Sequence, residues 1–160
     1  MIQRIQSVLL LLMSLCLLGS HALPLWVKQN PETTEKFVLK TYGVLHYGAD
    51  GQFADYTAWP YAVSGVLFLV AAVLGLVSIF QYKNRLNQIK IGALNSLLMG
   101  GGLFMVVWRA TAANEAFMPE IYGDFVLGMS LPITAMVFNI IANRFIRRDE
   151  NMVRSADRIR

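Results

Sequence analysis

The sequence is short of the residues that carry out chemistry. There is one cysteine, Cys16, and there are two histidines, His21 and His46. A single cysteine excludes an intrachain disulfide and every CxxC redox or zinc motif. Two separate histidines, with no second pair and no CxxCH, make a poor haem site. They leave zinc without three or four convincing ligands. Charge is scarce as well. Asp, Glu, Lys and Arg make up 15% of the 160 residues, where about 25% is usual in soluble domains. Hydrophobic residues fill 56%. A soluble fold of this length needs more polar surface. The composition reads as one all-α integral membrane domain, residues 1–160, with no cofactor, no metal and no nucleic-acid partner.

Four long apolar runs supply the spans: residues 5–26, 61–82, 91–108 and 125–145. Each approaches the roughly 20 residues that a helix needs to cross a bilayer. Arg144, at the end of the fourth, is the one Asp, Glu, Lys or Arg in them. Such a residue at mid-membrane costs roughly 2.5–3.5 kcal/mol. The first run also fits a cleavable signal peptide, with Arg4, then Val8 to Leu18, then Ser20-His21-Ala22. Its apolar character continues through Leu23 to Val27, which favours a retained helix.

Charge placement orients the spans. Ten basic residues fall on one side: Arg4, Lys83, Arg85, Lys90, Arg144, Arg147, Arg148, Arg154, Arg158 and Arg160. Four fall on the other: Lys28, Lys36, Lys40 and Arg109. The positive-inside rule puts both termini in the cytoplasm. Trp26, Trp59 and Trp108 then all lie at outer ends, where tryptophan favours the interface.

The outer loop, residues 27–60, holds two stretches rich in aromatic and β-branched residues. They are Phe37 to Tyr47 and Gln52 to Trp59, with the turn signal "GADG" between them. The pattern predicts a β-hairpin. A lone hairpin is marginal in water, so it should pack on the outer helix ends or on a partner. The tail, residues 146–160, sets Met152, Ala156 and Ile159 on one helical face. It predicts a cytoplasmic amphipathic helix lying on the inner surface. Its Arg147, Arg148, Arg154 and Arg158 are candidates for docking or for anionic lipid headgroups.

Inside the spans, polar residues are few. Asn95, Asn139 and Asn143 sit on the inner halves of the third and fourth runs. They read as interhelical hydrogen bonders or as the lining of a small polar cavity. Arg109 is expected at the outer end of the third helix, near Glu115, Glu120 and Asp124. It reads as a snorkelled arginine held by a carboxylate, or as an anion contact. "MGGG", Met99 to Gly102, reads as a close-packing face. Pro132 is expected to kink the fourth helix. No catalytic constellation emerges.

Two stretches resemble a known family: "MIQRIQSV", Met1 to Val8, and "ANRFIRRDENMVRSADRIR", Ala142 to Arg160. They are similar to the Bacteroidota membrane-protein family called domain of unknown function 4293. Its tail pattern is carried here by Arg147, Arg148, Asp149, Glu150, Val153, Arg154, Ser155, Asp157, Arg158, Ile159 and Arg160. The resemblance implies a four-span protein of a bacterial inner membrane. It supplies no catalytic residues. The expected fold is a four-helix transmembrane bundle with a small extracytoplasmic β-hairpin and the cytoplasmic tail helix. The expected role is a non-enzymatic accessory or scaffolding subunit of a membrane complex, with a protein partner or as a homo-oligomer. The competing expectation is a small-molecule or lipid binder, or a transporter, with a cavity near Asn95, Asn139 and Arg109.

Overall fold

The computed structural model describes residues 2–82 and 84–157. Among these the chain forms four helices and five short strands. The helices are α1 (Ile2–Gly19), α2 (Ala62–Phe80), α3 (Arg85–Ala116) and α4 (Ser130–Asp157). The strands are β1 (Trp26–Gln29), β2 (Lys36–Lys40), β3 (Gly43–Tyr47), β4 (Phe53–Thr57) and β5 (Asp124–Phe125). Three helices are long and apolar enough to cross a membrane: Ala62–Phe80, Arg85–Ala116 and Leu127–Val153. The apolar part of the first, Ile5–Gly19, is shorter.

The helices pack as a ring. Each touches the next, and α1 closes against α4. Small residues bring the backbones together. Ser14 on α1 donates to the Ala72 carbonyl of α2 at 3.0 Å. A side chain on Gly75 would collide with Met13 and Ser14. Within "MGGG" only Gly102 has a close neighbour, the Phe68 ring, 2.4 Å from where a Cβ would lie. Gly100 has open space at that position.

The sheet at one end of the bundle corrects the reading of a hairpin. All five strands join one antiparallel sheet, in the order β4-β3-β2-β1-β5. The Phe37 to Tyr47 stretch is two strands joined by a turn at Thr41 and Tyr42. The "GADG" turn does lie between β3 and β4. The sheet shares one apolar core with the bundle. Leu25, Trp26, Phe37, Leu39 and Val44 continue into Leu17, Phe68, Val106 and Ala110. The Phe37 ring stacks on Phe117 at 4.4 Å, just beyond the end of α3. Three strands bury one face on the helices, which removes the instability of a lone hairpin.

Several helix boundaries differ from expectation. Helix α1 ends at Gly19 and not near Trp26. Leu25 and Trp26 are buried, but in the sheet junction. An apolar run looks the same whether it becomes helix or buried strand. Helix α3 starts earlier and ends later than 91–108. Its start is capped by Asn84, whose side chain accepts the Asn87 N–H at 3.1 Å. Helix α4 begins only at Ser130, so Pro132 lies in its first turn, where its missing N–H costs the helix no internal hydrogen bond. The tail is not a separate surface helix. It continues α4 without a break to Asp157.

Candidate functional site

The seam between α3 and α4 carries the bundle's polar chemistry. Gly92 and Ser96 lie one turn apart on α3. Asn139 and Asn143 lie one turn apart on α4. Asn139 is fully buried and donates its amide to the Gly92 carbonyl at 3.0 Å and to Ser96 Oγ at 2.9 Å. Ser96 in turn donates to the Gly92 carbonyl at 3.1 Å. Asn143 lies against Gly92, so closely that a Cβ there would fall 1.9 Å from its Oδ1. Glycine at 92 is therefore what lets the two helices meet here.

The seam continues toward the end of the bundle away from the sheet, where Arg85 of α3 meets Asp149 of α4. A groove of about 1090 Å³ opens between the two helices. Ala93 and Ser96 line it from α3. From α4 come Ile140, Asn143, Arg144, Arg147, Arg148, Asn151, Met152 and Ser155. That spacing of three and four residues is one face of a helix. The groove is apolar at Ile140 and Ala93, amide-lined at Asn143, and basic from Arg144 onward. Among the described residues, Arg144, Arg147 and Arg148 form no ion pair. Asp149, the first acid after them, is held by Arg85 of α3 at 3.0 Å.

The expected cavity near Asn95, Asn139 and Arg109 is not one place. Asn95 is buried in the bundle, with no hydrogen-bond partner for its amide among the described residues. Arg109 lies 14 residues along the same helix, about 21 Å away by helical rise. Its guanidinium sits over the Trp108 ring at 4.4 Å and the Tyr61 ring at 5.9 Å. Among the described residues it pairs with no acid, and its Nε is buried without a partner. Glu115, Glu120 and Asp124 are exposed. Helix α3 running past Arg109 to Ala116 explains this, because it carries Glu115 nearly two turns beyond. Of the tail arginines, Arg147 and Arg148 reach the groove. Arg154 lies on α4, and Arg158 lies outside the described residues. The two histidines stay apart. His21 faces the Leu17 and Gly65 carbonyls at 3.0 and 3.2 Å. His46 stacks on Phe37 and meets Glu35 at 3.0 Å.

A family model described as domain of unknown function (DUF4293) matches residues 2–159. The chain belongs to that family. No curated protein matches it in sequence. The tail on which the family resemblance rests begins at Ala142, so it contains all three groove arginines.

Sequence reasoning missed three features of this architecture. Lys28 of β1 is fully buried, and its ammonium donates to the Asn114 carbonyl at 3.0 Å and to Asn114 Oδ1 at 3.4 Å. Burial lowers its pKa from the ordinary lysine value. Asn114 Oδ1 also accepts the Gly123 N–H, at 2.9 Å, so it ties both outer loops together. Gln88 donates to the Ser78 carbonyl at 2.7 Å and joins α3 to α2. The Arg85–Asp149 pair links α3 to α4 at the inner end. Each is a contact between different elements of the fold, with no periodic pattern to announce it.

Proposed function

We propose that this chain is a multi-pass protein of a bacterial inner membrane, with both termini in the cytoplasm. Its role is that of a non-enzymatic accessory or scaffolding subunit, docked through its outer sheet. The observation that carries this reading is β4. All five of its residues are exposed, while β1, β2 and β3 bury residues against the bundle. Phe53 is 58% exposed and Trp59, just beyond, 76%. A strand at a sheet edge offers unpaired backbone groups to another chain. The Tyr56 N–H is bonded to the neighbouring Asp55 carboxylate, 2.7 Å away, and so points off the ladder.

The edge favours a different chain over a second copy. Two β4 strands in full antiparallel overlap would set Asp55 against Asp55, and like charges directly opposite destabilise. A photo-crosslinking residue at Phe53 is expected to trap one discrete second protein in living cells. The same residue at Phe104, on the flank of α3, is expected to trap none. A chain that runs alone in every mild detergent and crosslinks to nothing from Phe53 overturns the reading.

A further inference from the structure

We propose that the groove between the inner ends of α3 and α4 seats one anionic phospholipid, its phosphate on Arg144, Arg147 and Arg148. The inference rests on the chain lying in a membrane. It does not rest on docking through β4.

Three observations converge. The first is depth. The sheet packs over the outer ends of the helices, and α4 leaves it at Ser130. Arg144 lies 14 residues further and Arg148 lies 18 further, about 21 and 27 Å by helical rise. A bilayer core is about 30 Å thick. Arg147 and Arg148 therefore reach the level of the opposite headgroups, and Arg144, about one turn short, reaches it by extending its side chain.

The second is order along the groove. Ile140 and Ala93 offer an apolar wall where an acyl chain runs. Asn143 follows at the depth of the glycerol and ester groups. It makes no hydrogen bond among the described residues, so its amide has capacity left for a ligand. The arginines come next, followed by Asn151 and Ser155. An amphiphile with its charged end toward the cytoplasm meets matching chemistry at each level.

The third is charge. Arg144, Arg147 and Arg148 line the groove, and no carboxylate does. Of the acids next to them in sequence, Asp149 is engaged by Arg85, and Glu150 is not free either. Arginine presents a planar fork of donors that fits two phosphate oxygens at once. Three such forks around one opening favour a headgroup of net negative charge over a zwitterionic one, whose phosphate diester already carries its own cation. Helix α3 makes the difference between a seat and a smear of surface charge, because Ala93 and Ser96 close the second wall.

The test uses the full chain, purified in mild detergent and examined by native mass spectrometry with added phosphatidylglycerol or phosphatidylcholine. One phosphatidylglycerol per chain is expected to persist where phosphatidylcholine is lost. Replacing Arg144, Arg147 and Arg148 together by Gln is expected to weaken retention roughly tenfold or more. That triple change also removes orienting charge, so a second variant keeps every arginine. Ala93→Phe fills the apolar wall and is expected to abolish retention with the melting temperature held. Equal retention of both lipids overturns the proposal. So does unchanged retention in Ala93→Phe. Glycerol 3-phosphate displacing the lipid as readily as phosphatidylglycerol itself also overturns it, because the site then serves soluble phosphate. Recovery of the chain from the soluble fraction would defeat the membrane reading, a failure distinct from loss of lipid selectivity.

Discussion

The side-chain amide of Asn139 donates to the main-chain carbonyl of Gly92, 3.0 Å away on the neighbouring helix. The bond exists because Gly92 has no side chain to hold α4 off. Asn139→Ala is expected to cost about 0.5–2 kcal/mol, the range for interhelical polar contacts. Gly92→Ala is expected to cost about 1–3 kcal/mol through overpacking against Asn143. Shortening Asn143 to alanine in the same chain should recover most of that loss. Unfolding in detergent, run as a double-mutant cycle, measures the coupling. Strict additivity would mean that the two residues do not share the contact.

Two glycines only two residues apart, and so on opposite faces of α3, make a sharper comparison. Gly102 faces the Phe68 ring, and Gly100 faces open space. Gly102→Ala is expected to destabilise by about 1–3 kcal/mol. Gly100→Ala should be neutral or stabilising, by up to about 1 kcal/mol, since alanine is the better helix former. Equal effects at both positions would show that "MGGG" acts through backbone flexibility and not through packing.

Lys28 gives stability a pH dependence of known sign. Burial lowers its pKa in the folded chain. The unfolded chain holds the same proton up to about pH 10.4. Between those two values the unfolded state binds more protons, so stability rises with pH. Below the lowered value both states are protonated and the full cost of burying the charge is present. The melting temperature in detergent is expected to climb across the alkaline range, and Lys28→Met should lack that climb. Identical slopes in the two chains would place the titration elsewhere.

Orientation can be read with the chain's one cysteine removed. In a Cys16→Ser background, a cysteine at Asp50 should react with a membrane-impermeant maleimide added to intact cells or spheroplasts. A cysteine at Ser155 should react only after lysis. The reverse pattern would invert the proposed topology and move the groove to the outer leaflet.

Much of the helical layout was legible in the sequence, because apolar runs near bilayer length have few other uses. The end of α1 was not. Leu23 to Val27 is as apolar as the helix before it, and periodicity does not separate a buried strand from a buried helix. Strand β5 has two residues and no period to detect. The extension of α3 was within reach, since "RATAANEA" is rich in good helix formers. Half of the groove was legible too. Ile140, Asn143, Arg144, Arg147, Arg148, Asn151 and Ser155 follow helical spacing along one face. The other wall, at Ala93 and Ser96, depends on how α3 packs, and local sequence carries no record of that.

The sheet takes β1 from the first outer loop and β5 from the second. Those two loops precede α2 and α4, so a single hydrogen-bonded clasp restrains the outer ends of the helices. Among the described residues the opposite ends have no such strand clasp. They are joined by side-chain contacts such as Arg85 with Asp149. The molecule is thus mechanically lopsided, stiff at one rim and loose at the other. Force on the sheet is carried by the clasp, and any give in the bundle is expressed as a splaying of the opposite rim.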